Sequence, residues 1–198
     1  MLVKIIGASL YGMDAIGIQV EVNISMGQGY CIVGLPDTAV KESLHRTEIA
    51  IKANGFQMPR TKLVINLAPA DLKKTGPAFD LPIAIGILAA SDQILHSPLL
   101  SQFLMMGELS LNGAIQAIKG VLAMAIYAKE AGLEGIIVPK INAPEASLIK
   151  GLKVFAFEHL TEVTQFCNHP ELFSPYQQTD AEILPRTVGF DVDFATIK

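Results

Sequence analysis

The chain has 198 residues, with 15 lysines and arginines against 19 aspartates and glutamates, for a formal net charge of −4. Hydrophobic residues make up 51% and charged ones 17%, a balance that supports a folded core and excludes wholesale disorder. The acidic balance argues against a main nucleic-acid surface, which needs clustered lysine and arginine, and no apolar run reaches the ~18–20 residues that span a bilayer.

Met1 to Ile6 is too short an apolar run for a secretory signal, and Val3 to Ser9 reads as a first strand. Gly12-Met13-Asp14 turns the chain. From Ile16 to Ser25, apolar Ile16, Ile18, Val20, Val22 and Ile24 alternate with Gly17, Gln19, Glu21, Asn23 and Ser25. That period of two marks a half-buried strand. Met26 to Gly29 turns into a short strand, Tyr30 to Val33, and the three strands read as an antiparallel meander. Asp37 is placed to cap a helix that Gly55 stops, with Val40, Leu44 and Ile51 inward. Glu42, His45 and Arg46 share its outer face and read as solvated.

Arg60 to Leu67 is the next strand, and a polar, turn-prone stretch follows from Ala68 to Phe79. Asp80 then reads as the cap of a helix running to about Ala90, with Pro82 tolerated in the first turn. Ser91, near the far end of that helix, reads as an ordinary C-terminal or surface residue. Phe103 to Leu111 reads as one strand containing Met105 and Met106, and Asn112-Gly113 as a hairpin turn to Ala114–Ala117. A helix from Lys119 to Glu130, a buried strand from Gly135 to Pro139, a short helix capped by Asn142, a strand from Val154 to Phe157 and a helix from His159 to Phe166 complete the domain, residues 1–168. Prolines at 170, 175 and 185 mark residues 169–187 as a linker, and residues 188–198 regain apolar character. Cys31 and Cys167 stand far apart in apolar surroundings and read as reduced, buried thiols of a cytosolic protein rather than a disulfide.

Few residues offer chemistry. His45, His96, His159 and His169 lack metal-ligand spacing. Asn23-Ile24-Ser25 matches a glycosylation sequon but lies in a strand. Asn66 to Pro82 runs from a strand through a tight loop into a helix, and reads either as a structural turn or as a loop whose N–H groups cradle an anion. It lacks the Gly-x-x-x-x-Gly-Lys-Ser/Thr pattern of a nucleotide P-loop.

That loop, with Gly107-Glu108-Leu109 to Gly113 and Ile118-Lys119-Gly120-Val121, resembles the proteolytic domain of Lon-type proteases. The resemblance implies an α/β fold, a mixed sheet with helices mainly on one side and a β-α-β crossover. In that family a Gly-Pro-Ser-Ala-Gly motif carries the nucleophile, and a helix opening Gly-Gly-Leu carries a lysine base. Gly76 and Pro77 match the first motif, but the serine position is Ala78, and counting from Lys119-Gly120-Val121 puts the base at about Met124. Alanine has no oxygen to attack with, and a thioether takes no proton at neutral pH. Lys119 as a substitute base and Ser91 as a stray nucleophile are weaker readings than a solvated lysine and a helix-end serine.

A second resemblance covers nearly the whole chain. Leu10-Tyr11-Gly12, Ile32 to Ser43, Asn66 to Leu72 and Gly76 to Ala84 resemble, in order, the N-terminal domain of the magnesium-chelatase-like AAA+ ATPases of the ComM/YifB group. Phe190 to Lys198 resembles the segment before that family's Walker A loop, so the chain reads as an N-terminal piece whose last residues, 188–198, begin a truncated AAA+ module. The resemblance implies a cytoplasmic, hexameric ring ATPase using ATP and magnesium and acting on DNA, as a branch-migration helicase in natural transformation. Within it this piece is expected to be non-catalytic, with no cofactor or metal site of its own and a role in assembly or regulation. Its expected partners are the downstream AAA+ module and ring neighbours, with DNA reached through the whole protein and no membrane. The rival readings are a Lon-like Ser–Lys peptidase with a displaced dyad and a metal-chelatase ATPase subunit.

Overall fold

A computed structural model describes residues 1–177 of the chain. Among the described residues, nine strands and six α-helices follow one another: β1 (Leu2–Tyr11), β2 (Asp14–Ser25), β3 (Tyr30–Val33), α1 (Thr38–Ala53), β4 (Lys62–Ala68), α2 (Asp80–Ala90), α3 (Leu99–Gln102), β5 (Phe103–Met105), β6 (Glu108–Leu109), β7 (Ile115–Gln116), α4 (Val121–Glu130), β8 (Gly135–Pro139), α5 (Ala143–Ser147), β9 (Lys153–Phe157) and α6 (Leu160–Asn168). Seven strands form one mixed sheet in the order β3-β4-β2-β1-β5-β8-β9, and β6 pairs with β7 in a separate hairpin. The α/β class read from the sequence is the one observed.

β1 and β2 pair antiparallel from Leu2 against Asn23 to Tyr11 against Asp14. Their alternation puts Val3, Ile5, Ile18, Val20 and Val22 in the core at 0–1% exposure. The expected meander stops there. β3 pairs in parallel with β4, while β4 takes the free edge of β2. The seven-residue β4, with Leu63, Ile65 and Leu67 buried, offers β2 a longer ladder and more apolar area than the four-residue β3. The chain therefore crosses from β3 to β4 through α1. Gly34 permits this, because its φ is +96° and a Cβ there would lie 2.2 Å from the Leu67 carbonyl oxygen. Cys31 ends up on the outer strand and exposed, which corrects the expectation of two buried thiols; Cys167 is buried in α6.

Alternation also assigns the helices to faces. A Cβ on Gly86 in α2 would meet Val22 and Ile5, whereas one on Gly17 in β2 would meet Tyr127 of α4. Ile5 and Val22 point to one side of the β1–β2 ladder, and Ala8 and Gly17 to the other. Thus α2, with α1 packed on it, covers one face, and α4 lies on the opposite face, so the helices are less one-sided than the resemblance implies.

The expected strand from Phe103 to Leu111 breaks at Met106-Gly107. The Gly107 N–H donates to the Ala78 carbonyl (2.8 Å) and the Leu81 N–H donates to the Gly107 carbonyl (2.9 Å), which draws the chain toward the start of α2. At the other end of the sheet, α6 packs Phe166 among Phe103, Phe155, Phe157 and Phe173. His159 caps α6 in a reciprocal box with Glu162. The packing continues past residue 168, into the stretch read as linker: Phe173 joins the aromatic cluster and the Tyr176 N–H donates to the Val154 carbonyl at 2.7 Å. The segment 188–198, read as the start of a further module, lies outside the described residues.

Asp37 caps α1 as expected, its Oδ1 accepting from the Val40 N–H at 2.8 Å and its Oδ2 from the Gly76 N–H at 3.2 Å. Asp37→Ala is expected to cost about 1–2 kcal/mol, measured by urea unfolding; a loss near zero would mean that water replaces the cap.

Candidate functional site

The loop between β4 and α2 begins after Ala68 and is braced against the start of α1. The Asp37 N–H donates to the Lys74 carbonyl (3.0 Å) and the Lys74 N–H to the Leu35 carbonyl (3.1 Å). Lys74 itself is fully buried. Its ammonium turns inward and donates to the Leu72 carbonyl at 2.7 Å and to the Pro69 carbonyl. Nothing in the sequence marks Lys74 as buried; in a polar loop it reads as solvated. Burial pushes its pKa below the usual lysine value, partly opposed by Asp71.

The sign of the resulting pH dependence follows from that direction. Between the lowered folded pKa and the ordinary unfolded value of ~10.4, the unfolded chain binds more protons, so this group makes stability rise with pH. The stability of the native chain relative to Lys74→Met is expected to increase as pH climbs through that window toward ~10. Urea midpoints of both proteins at several pH values test this, and a difference that stays flat or falls would be the wrong sign.

Two expectations about polar residues change here. Asp80 does not cap α2. Phe79 holds the cap position, with no side-chain hydrogen bond, and Asp80 is the first helical residue, fully buried. Arg46 is not simply solvated. Its Nε donates to Asp80 Oδ2 at 2.7 Å and its Nη2 to Oδ1 at 3.0 Å, a two-pronged pair. The Leu109 N–H donates to the same Oδ2 at 3.1 Å. One carboxylate thereby ties α1, α2 and the β6–β7 hairpin together. Its hydrogen bond raises the Arg46 pKa further, against desolvation. Glu42 and His45 stay exposed, as read from the sequence.

Asn142 does not cap α5 with its side chain. Its Oδ1 accepts from the Ile118 N–H and its Nδ2 donates to the Ile118 carbonyl, both at 3.0 Å. This amide clamp fixes the extended chain that enters α4. The α4 start, in turn, needs Gly120 in a left-handed conformation at φ +77°, with Leu10 filling the space a Cβ would take.

These three supports surround one cavity of about 330 Å³, the lining of which includes Ala8, Ser9, Leu10, Thr75, Ala78, Met106, Glu108, Ile118, Lys119 and Met124. Ala78, in the single helical turn Pro77–Phe79, and Met124, buried in α4, therefore line the same space, although 46 positions separate them in sequence. Met124 and Ile118 are buried and Lys119 is exposed at the rim. Ser9 places a hydroxyl in the lining, a residue that sequence reasoning passed over because it sits at the end of a strand with no motif around it. No hydrogen bond joins Ser9 to Lys119 among the described residues. Ser91 lies elsewhere, closing α2 with its hydroxyl on the Ile87 carbonyl at 2.7 Å. Ala78 brings a methyl and Met124 a thioether to this lining, and neither group is a nucleophile or a base.

Among the described residues no three His, Cys, Asp or Glu side chains gather as a metal site, and no helix is long and apolar enough to cross a membrane.

A family model described as subunit ChlI of Mg-chelatase matches residues 20–142. The uncharacterized protein YifB of Escherichia coli is 42% identical over 171 residues, which are 86% of this chain and 33% of that protein. Competence protein ComM of Haemophilus influenzae is 42% identical over 170 residues, 83% of this chain and 33% of its own length. Lon protease 2 of Bacillus subtilis is more distant, 24% identical over 176 residues, 79% of this chain and 31% of the protease. The chain thus spans about a third of the length of the curated relatives it matches. With a family model across most of its length and relatives of this similarity, the chain belongs to the magnesium-chelatase-like family that includes YifB and ComM.

Proposed function

We propose that this chain is the non-catalytic N-terminal domain of a longer magnesium-chelatase-like AAA+ ATPase. The non-catalytic part is supported by the one cavity that Ala78 and Met124 line together, the two positions at which the sequence resemblance would have a serine and a lysine. A fold kept while its reactive groups are replaced by inert ones of similar bulk supports a role in assembly or regulation. The longer protein uses ATP and magnesium, forms a cytoplasmic ring of six copies and processes DNA; one relative carries the name competence protein. DNA engages the rest of that protein rather than this acidic domain.

Two experiments test the reading. A fluorophosphonate probe added to the 198-residue chain should label nothing; a labelled Ser9 would revive the displaced peptidase dyad. In the full-length protein, magnesium-dependent ATP hydrolysis and movement of a four-way DNA junction should both be measurable. Deleting residues 1–177 should change ring assembly, followed by light scattering, more than it changes nucleotide binding. A second reading, a chelatase subunit, draws on the family model's description. It would gain if the full-length protein required a porphyrin-binding partner for ATP turnover and ignored DNA.

A further inference from the structure

Two Asn-Gly pairs stand 58 positions apart, Asn54-Gly55 at the end of α1 and Asn112-Gly113 at the tip of the β6–β7 hairpin, and the fold brings them into contact. The Asn54 Nδ2 donates to the Asn112 carbonyl at 3.0 Å and to the Ala50 carbonyl at 2.8 Å, so both of its N–H bonds are used. The approach is close: a Cβ on Gly113 would lie 2.3 Å from that nitrogen. The same Asn112 carbonyl lies 3.1 Å from His159 Nε2, and thus joins the hairpin both to α1 and to the cap of α6.

Asparagine followed by glycine is open to internal attack, because glycine has no side chain to crowd the incoming nitrogen. At Asn54 the Gly55 amide nitrogen attacks Cγ, the new C–N bond closes a succinimide ring, and the Cγ–Nδ2 bond breaks with release of ammonia. Water then opens the ring at either carbonyl and leaves aspartate or isoaspartate. The native helix end gates this step. The Gly55 N–H donates to the Lys52 carbonyl at 3.2 Å and the Phe56 N–H to the Ile51 carbonyl at 3.1 Å, the paired bonds of a Schellman ending with Gly55 at φ +81°. Helix ends open at low free-energy cost, and each opening frees the Gly55 nitrogen.

The two asparagines differ in what conversion does. Asn112 Oδ1 accepts from the Ala114 N–H at 3.1 Å, and its amide nitrogen has no acceptor among the described residues, so an aspartate there keeps the contact. An aspartate at position 54 has no proton to give at neutral pH. It sets a carboxylate against two carbonyl oxygens, at the negative end of the α1 dipole. Isoaspartate lengthens the main chain before Gly55 and breaks the Schellman pair as well. We infer that Asn54 is a site of spontaneous deamidation, with the Gly55 nitrogen as nucleophile and water as co-reactant, and that its conversion releases the hairpin from α1. The hairpin carries the Leu109 N–H that holds Asp80 and the Glu108 side chain at the cavity, so the change reaches both. The inference stands apart from the proposed function and does not depend on whether the cavity is catalytic.

The test ages the 198-residue chain in mildly alkaline buffer, beside the same chain in urea, and follows both by peptide mapping with mass spectrometry. Acid should accumulate at position 54 in both, and faster in urea. A native sample with no acid at position 54 once the urea sample has converted fully overturns the site. Hydrogen exchange tests the release. Asn54→Asp should exchange its Gly55 and Gly113 amides about tenfold faster than the native chain, whereas Asn112→Asp should match the native chain. Asn54→Asp exchanging like the native chain, or Asn112→Asp exchanging as fast as Asn54→Asp, overturns it. If Asn54→Asp does not fold, the aged native chain supplies the same reading. Its molecules with acid at position 54 should be the faster-exchanging ones, and equal exchange in converted and unconverted molecules overturns the release.

Discussion

Replacing Arg46 with alanine is expected to lower the unfolding free energy by about 3–5 kcal/mol, seen as a lower urea midpoint. The reason is what the substitution leaves behind. Asp80 has no solvent exposure, and two of its three hydrogen-bond donors described here are the Nε and Nη2 of Arg46. Without them a buried carboxylate keeps the Leu109 N–H alone. Removing both charges, as in Arg46→Met with Asp80→Leu, should recover a large part of the loss, because the pair's own net worth is small after desolvation. Glu42→Ala is the control. Glu42 reaches Arg46 only at 3.8 Å and is 61% exposed, so its loss should cost less than about 1 kcal/mol. An Arg46→Ala effect as small as that of Glu42→Ala would show that α1 is held to α2 by apolar packing alone.

Phe166→Ala should cost a similar amount, about 3–5 kcal/mol. Phe166 is 1% exposed, and four other phenylalanine rings surround it, with centroids at 4.4 Å (Phe155), 5.5 Å (Phe157), 5.6 Å (Phe173) and 6.1 Å (Phe103). No smaller side chain can hold β5, β9, α6 and the residues after α6 at once, and a cavity lined by rigid rings collapses poorly. Phe173→Ala removes only the half-buried outer member and should cost less. Comparing the two by urea unfolding and by proteolysis near residue 173 shows whether the chain after α6 is fastened by this cluster. Equal losses, or no change in cleavage, would contradict that account.

The sequence showed elements more clearly than partners. The alternation from Ile16 to Ile24 identified β2, and Asp37 and Gly55 bracketed α1 within two residues, because period and capping are local properties. The pairing of β3 was not local. It depended on which strand offered β2 the longer edge, and β4 lies about 30 residues further on. The same holds for polar side chains. Asp80, Asn142 and Arg46 sit at positions where a cap or a solvated face is the ordinary outcome, and each is committed instead to a group distant in sequence or to a buried loop. The cavity was legible only through the family resemblance that singled out Ala78 and Met124. The Met106 sulfur on the Ala8 N–H and the Ser9 hydroxyl in the cavity left no pattern in the sequence, since each depends on how distant elements meet, and the buried ammonium of Lys74 depends on how its own loop folds back on the Pro69 and Leu72 carbonyls.

The unequal setting of the two thiols makes the protein its own folding reporter. Cys31 lies open on the outermost strand, while burial pushes the Cys167 thiol up to about 12. A maleimide or disulfide reagent at neutral pH therefore titrates one sulfhydryl per native molecule and a second only as α6 comes away from the sheet. Pulse labelling during denaturation can follow the loss of the aromatic corner through Cys167, without any engineered probe, while Cys31 serves as the internal standard.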